Sequence, residues 1–422
     1  VTLAEAEEKL ASADAGNVRA IGGSFALVTR RGDSVFLARS LDRPLRYFLA
    51  KEPQGPMLVV AESMREIADF LAGEGYGHQF HPSYTRMVPA HHVTTIRLVG
   101  CPDPSPTYER FLVPASEPMG KDLDAIGRRY VGALRQQLAK WLASVPAAEP
   151  IGVLFSGGID SGSVFLSVYR ELLERGESPA RLKAFTLSVE GGEDLGQARE
   201  FLRRLDLEMF LEPVEARAGD LDPLAAIEAI EDYKPLDVEC AAVNLTLLQG
   251  IRERYPEWRF LIDGDGGDEN LKDYPIEENE ELTIRSVVNN PLLYQEGWGV
   301  GTLKHSLTYS GGMSRGCVRT SVPARLLGFV GFSPYTAAAV VEVASAIPFG
   351  ALAQGDHERL YGLKGEIVSR GVRQVLGFEM PVFPKRRFQH GATSASAFRS
   401  RLGGEQKAYR SHFLGLYSTS GV

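Results

Sequence analysis

Between Ile151 and Ser163 the chain reads IGVLFSGGIDSGS, and this short segment constrains the fold more than any other. Ile151 to Phe155 is an apolar run with the length of a buried strand. Ser156-Gly157-Gly158-Ile159-Asp160-Ser161 follows, and then an apolar-periodic helix from Val164 to Leu173. Adjacent glycines let the main chain turn with no Cβ in the way, so N–H groups can converge on an anion at the helix start. Ser156, Ser161 and Ser163 add hydroxyl donors, and Asp160 is placed to hold a magnesium ion against phosphate oxygens. The segment therefore predicts a phosphate site. It is not a Walker loop, because the one Gly-Lys pair, Gly120-Lys121, runs into Asp122 and lacks the upstream glycine. A plain Gly-Gly turn before a surface helix is the competing reading, and the order strand, loop, helix speaks against it.

The flanking pattern tells what kind of sheet carries this loop. Strands are predicted at 182–189, 209–214 and 260–262, separated by helices at 195–205, 224–230 and 243–254. Such alternation predicts a parallel sheet with helices on both faces and ligands at the carboxyl ends of its strands. Ahead of it, a helix at 2–13 carries a capping box, Thr2 answered by Glu5. Strand-like runs at 24–29, 34–38, 57–61 and 92–99 predict a small antiparallel domain. An amphipathic helix at 122–142 presents Leu123, Ile126, Tyr130, Leu134, Leu138 and Trp141 on one face and leads into the phosphate strand. Beyond Leu282 the pattern is helical with few strands. The expected fold class is thus α/β, with domains at 1–118 and 119–422.

A chain of 422 residues exceeds what one core usually holds, in agreement with two domains. Its net charge of −8 argues against a nucleic-acid partner, since phosphate backbones are met by clustered Lys and Arg. Cys101, Cys240 and Cys317 are far apart and form no CxxC pair, which excludes a disulfide scaffold and a cysteine-rich zinc site. No apolar run has membrane-spanning length and residues 1 to 30 do not read as a signal peptide, so a cytoplasmic protein with no membrane partner is expected. His91 and His92 would point to opposite sides of a strand and are expected at the surface rather than as ligands.

The strand at 260–262 runs into Asp263-Gly264-Asp265-Gly266-Gly267-Asp268-Glu269. So many carboxylates interleaved with glycines are costly unless something positive sits among them. Asp268 is the candidate to share magnesium with Asp160, because Mg²⁺ takes one or two carboxylates plus substrate phosphates. A solvated acidic turn is the alternative for the segment taken alone.

SGGIDS at 156–161 resembles the pyrophosphate loop of ATP pyrophosphatases, which cleave ATP between the α- and β-phosphates. Together with AFTLSV at 184–189 and DGDGGDE at 263–269, it resembles the synthetase domain of the asparagine synthetase family. That resemblance implies ATP and Mg²⁺ as cofactors. It places the nucleotide at Leu154, Ser156, Gly157, Gly158, Asp160, Ser161, Thr186, Leu187, Gly264 and Gly266, the metal at Asp160 and Asp268, and a catalytic acidic role at Asp265. Pro384-Lys385 followed by QHGATS at 389–394 resembles the β-lactam synthetase branch, which implies a catalytic lysine at Lys385. The runs GGSFALVTRRG at 22–32 and LVVAES at 58–63 resemble the second half of the glutaminase domain that precedes such synthetases.

The sequence also departs from that family. No cysteine stands before Cys101 to act as an amino-terminal nucleophile, so a truncated glutaminase-like domain without glutaminase activity is expected. Leu236-Asp237-Val238 is followed by Glu239-Cys240-Ala241-Ala242 where asparagine synthetases carry a Thr- and Arg-containing stretch, and the substrate is expected not to be aspartate. The expected activity is an AMP-forming amide synthetase joining a small-molecule or peptide carboxylate to an amine, with a homo-oligomer left open. Asp265 stands where the β-lactam branch has tyrosine, which favours an intermolecular amine over ring closure within one substrate. A tRNA-modifying enzyme and a nucleotide-binding pseudoenzyme are the other classes, the first opposed by the acidic charge and the second by retention of both loops and Lys385.

Overall fold

The computed structural model describes residues 1–99, 105–113, 117–273, 283–289, 312–384 and 388–418. In the amino-terminal part, β1 (Ala26–Arg31) and β2 (Ser34–Arg39) form one hairpin, and β3 (Arg46–Glu52) and β4 (Gly55–Ala61) a second. With β5 (Arg86–Met87), β6 (His92–Arg97) and β7 (Thr107–Arg110) they make two antiparallel sheets, ordered β1-β2-β6-β7 and β4-β3-β5. The Thr2 capping box is present, with the Glu5 N–H donating to Thr2 Oγ1 at 3.3 Å and the Thr2 N–H to Glu5 Oε2 at 2.7 Å. β3 is a strand that the sequence pattern does not reveal, because its first residue is a charged one, Arg46, fully buried.

What permits this burial is Glu231, which ends the helix Pro223–Ile230. Its carboxylate lies 3.2 Å from Arg46 Nε and accepts from the N–H groups of Met64 and Arg65, at 2.8 and 3.0 Å, and from the Tyr417 hydroxyl at 3.0 Å. One acid thereby neutralises a buried guanidinium, satisfies the start of the helix Met64–Gly73 and ties down the carboxyl-terminal helix region. His91 and His92 correct the surface expectation. Both are buried: His91 stands ahead of the strand with φ of 61° and packs edge-on to Phe111, and the His92 ring Nδ1 is 2.8 Å from the Ala90 carbonyl.

The second part is a five-stranded, wholly parallel sheet of β8 (Ile151–Leu154), β9 (Leu182–Val189), β10 (Leu211–Ala216), β11 (Phe260–Ile262) and β12 (Val330–Phe332). Its order is β10-β9-β8-β11-β12. The chain starts in the middle at β8, winds outward through β9 and β10, then returns to the other side of β8 for β11 and β12. The direction reverses between β8 and β11, and ligands bind in the crevice at the carboxyl ends of strands at such a reversal. The α/β expectation thus holds, with antiparallel sheets before the parallel one and mainly helices after it.

Two helices cover the face beside the crevice. Leu123–Leu142 is N-capped by Asp122 and buries Ile126, Tyr130, Leu134 and Leu138, and its Trp141 stacks on Phe332 of β12 with ring centroids 5.4 Å apart. The helix His357–Leu376 crosses it where Gly127 meets Gly371. A Cβ on Gly127 would stand 2.5 Å from the Ile367 carbonyl oxygen, and one on Gly371 would stand 2.3 Å from the Gly127 carbonyl oxygen, so the crossing is backbone on backbone. The helix predicted from Val243 runs in fact from Pro235 to Arg254. It is buried nearly all round in its first half, so no polar face marks its start; Pro235 at the first turn does. Among the described residues no helix is long and apolar enough to cross a membrane.

Candidate functional site

Both loops singled out in the sequence lie at the switch point, one after β8 and the other after β11. Gly157 takes a φ of +72°, and a Cβ there would fall 2.8 Å from the Ala198 backbone, so the turn needs glycine for its angle and for the approach of the helix Asp194–Arg203. Gly158 heads the helix Ile159–Glu174 with no side-chain cap, which leaves first-turn N–H groups for an anion. The loop is braced from within: the Ser156 N–H donates to Ser161 Oγ at 3.2 Å, and the Gly158 N–H donates to Ser156 Oγ at 3.3 Å. From outside, Gln197 donates to the Ser156 carbonyl at 3.3 Å and Thr186 to the Phe155 carbonyl at 2.6 Å. The Thr186 hydroxyl is therefore committed to holding the loop, although Thr186 and Leu187 also line the cavity beside Leu154.

The second loop packs directly on the first. A Cβ on Gly264 would lie 3.0 Å from the Ser161 nitrogen, and one on Gly267 would lie 2.1 Å from Asp160 Oδ1. Gly266 adopts a φ of +96° to start the short helix Gly267–Leu271, which presents Asp268 and Glu269. Asp263 is internal to the turn: it accepts from the Asp265 N–H at 3.0 Å and from the Ser333 hydroxyl at 2.8 Å. Burial, reinforced by Asp265, pushes its carboxyl well above the usual range.

The positive group that these acids require is Lys364, from the helix His357–Leu376. Its Nζ is 2.5 Å from Asp160 Oδ2, bonds Asp268 Oδ1 and lies 3.4 Å from Asp273 Oδ2. Burial alone lowers an ammonium pKa, but Asp160, Asp268 and Asp273 outweigh it and hold Lys364 well above its ordinary value, so it stays charged. The two expected metal carboxylates thus converge on one point, and that point takes a cation. Asp160 Oδ1 is buried with no hydrogen-bond partner among the described residues. Burial pushes the Asp160 carboxyl up against the pull of Lys364, the situation of an acid short of positive charge. Among the described residues no group of three or more His, Cys, Asp or Glu forms a metal cage. Two carboxylates with an orphan oxygen still fit Mg²⁺, which relies on substrate phosphates and water for its other ligands.

A cavity of about 560 Å³ opens over these loops. Asp265 and Glu269 line its acidic side, and burial pushes the Asp265 carboxyl to about 6 and, with help from Asp268, the Glu269 carboxyl to about 7. Arg319, from the helix Gly312–Leu326, also lines the cavity; its Nε is 2.9 Å from Asp237 Oδ1, and its charge draws the Asp265 and Glu269 carboxyls down against that burial. Glu239-Cys240-Ala241-Ala242 brings no cation to Asp237; Arg319, more than eighty positions on, does, and only the fold reveals it. Lys385 lies outside the described residues. On either side of it, Phe383, Pro384 and Gln389 line the cavity.

Residues 133–315 match the family model described as asparagine synthase, a span that holds β8 to β11 and both loops. The chain carries an asparagine synthase domain. No curated protein matches the chain in sequence. An asparagine synthase domain is of the ATP pyrophosphatase type, and its family uses ATP for adenylation and amide chemistry. Lys364 falls beyond the matched span.

Proposed function

We propose that the chain is an ATP-dependent, AMP-forming amide ligase that adenylates a substrate carboxylate and passes the acyl group to an amine not drawn from glutamine by this chain. The observation that carries this reading is the convergence of Asp160 and Asp268, from the two switch-point loops, on buried Lys364. The uncapped start of Ile159–Glu174 and the Ser156 and Ser161 hydroxyls receive phosphate oxygens. Asp160 and Asp268 would hold the magnesium ion, which when bound screens phosphate charge and helps pyrophosphate to leave. Lys364 adds a fixed ammonium at the same place, and Lys385 is assigned a second one by its resemblance to the β-lactam synthetase branch.

In the first step a carboxylate oxygen attacks the α-phosphorus and the bond to the β-phosphate oxygen breaks. In the second an amine attacks the acyl carbon and AMP departs with the mixed-anhydride oxygen. The amine's proton goes to Asp265, a cavity-lining carboxylate whose Oδ2 has no hydrogen-bond partner among the described residues. Chromatography of nucleotides after turnover with a panel of carboxylic acids and amines tests the reading: AMP and pyrophosphate are expected. ADP with orthophosphate overturns it, and the product mass separates joining of two molecules from ring closure in one.

A further inference from the structure

The cavity wall also holds a relay of polar atoms with no part in the adenylating steps. Arg319 Nη1 donates to Cys240 Sγ at 3.6 Å, and Cys240 Sγ donates to Gln389 Oε1 at 3.5 Å. Because the sulfur already accepts from Arg319, its own proton is the one directed at Gln389, and this assigns Oε1 to Cys240 and leaves Nε2 on the other side of the amide. Burial pushes the Cys240 thiol up, so it keeps that proton. Gln389 is only 2% exposed, and its Nε2 has no hydrogen-bond partner among the described residues although the residue lines the cavity. A buried amide N–H₂ with nothing to donate to is unfavourable, and in a cavity wall it marks where an acceptor arrives.

The surrounding backbone fixes this amide in place. Thr393 Oγ1 donates to the Gln389 carbonyl at 2.6 Å, and Thr393 bridges to Val189 at the end of β9. Gly391 lets the segment press on Asp194, where a Cβ would stand 1.9 Å from Oδ1. Charge then selects the kind of acceptor. Asp237, almost fully buried, already balances Arg319, and the Asp265 and Glu269 carboxyls line the same cavity within reach of the same guanidinium. A second carboxylate on the substrate would be repelled there, whereas a neutral oxygen would not.

We infer that Gln389 is a specificity-determining residue, donating from Nε2 to a neutral amide carbonyl on the acyl substrate, so that amide-bearing carboxylic acids are accepted over dicarboxylic ones. This rests on the adenylating function proposed above, with Cys240 and Arg319 as positioning residues for the amide.

The test uses N-acetylated dipeptides, aliphatic acids of matched length and succinate, read by AMP formation and, separately, by the shift each compound produces in thermal unfolding of the full chain with ATP present. Wild-type protein should favour the acetylated dipeptides in both readouts. Gln389→Leu should raise their KM about tenfold and reduce their thermal shift, with the KM for ATP unchanged, as expected for loss of one hydrogen bond. Cys240→Ser keeps the relay and should behave as wild type; Cys240→Ala should fall between. Equal shifts from dipeptides and aliphatic acids, absence of any shift, or a Gln389→Leu protein with wild-type discrimination overturns the inference. A dipeptide shift that Gln389→Leu abolishes, without AMP from any acid, supports the site and sinks the adenylating function instead.

Discussion

Adding a single methyl group at Gly267 tests the contact between the two loops. A Cβ at this position would lie 2.1 Å from Asp160 Oδ1 and 2.4 Å from its Cγ. Ordinary carbon–oxygen contacts are more than 3 Å, so the carboxylate must retreat by roughly 1 Å from a place where it is held at 2.5 Å by Lys364. Overpacking of this kind costs about 1–3 kcal/mol, partly offset by the ~1 kcal/mol that alanine gains over glycine within a helix. Stability should therefore fall by no more than about 2 kcal/mol. Activity should fall much further, since a misplacement of about 1 Å costs on the order of 10²-fold in rate. AMP formation and urea unfolding measure the two separately.

Two further variants isolate the cause. Gly362→Ala, in the helix that carries Lys364, meets nothing within 4 Å and should be neutral or slightly stabilising. In an Asp160→Ala background the clash is gone, so Gly267→Ala should there raise stability rather than lower it, a coupling that a double-mutant cycle reads directly. Turnover of Gly267→Ala within twofold of wild type, or a stability change that is the same with and without Asp160, would refute the coupling between the two loops.

Other expectations follow from the same geometry. Lys364→Met should abolish AMP formation and lower stability by about 3–5 kcal/mol, because it leaves the largely buried Asp160 and Asp273, and the half-exposed Asp268 between them, without this cation; near-normal turnover would remove Lys364 from the site. Lys272, whose Nζ donates to the Val287 carbonyl at 2.8 Å, is pushed down to about 7 by burial. A lowered lysine pKa means that the unfolded chain binds more protons above pH 7. Stability should thus rise from about pH 7 to about pH 10, and Lys272→Met should lose up to about 1.4 kcal/mol per pH unit of that slope, measured by denaturation at several pH values. Glu231→Ala removes the carboxylate beside buried Arg46 and uncaps the helix Met64–Gly73, and should cost about 3–5 kcal/mol. Limited proteolysis should then cut the amino-terminal sheets first, and a protection pattern identical to wild type would refute the fastening role.

The phosphate loop was readable in the sequence because all of its chemistry is local: strand, two glycines, hydroxyls, one acid and a helix occur in unbroken order. The acidic loop was readable for the same reason, and its crowding of carboxylates announced a missing cation without naming it. Lys364 was missed because it lies almost a hundred positions beyond Asp268 and in no motif. A signal did exist: with Leu360, Leu363, Ile367 and Val368 it stands on the buried stripe of an amphipathic helix, where a lysine needs a partner. β3 and the start of Pro235–Arg254 escaped because periodicity assumes one dry face and one wet face. Arg46 is a charge on the dry side, and the first half of Pro235–Arg254 has hardly any wet side. Gln389 opens the QHGATS segment, but nothing local marks its side chain or Arg319 for a role, since only the topology brings their helices against Cys240.

The meeting of Gly127 with Gly371 has a consequence for how such a chain can change over generations. Where two helices touch through side chains, every substitution in the contact nudges one helix along the other. Here main-chain atoms set the separation, and main-chain atoms are the same whatever the residue. The height of Lys364 above the strand ends is therefore indifferent to drift among the aliphatic residues around it. Exchanging Leu, Ile and Val in that layer should therefore leave the spacing of the ammonium from the phosphate loop unchanged, whereas a side chain at either glycine should alter it.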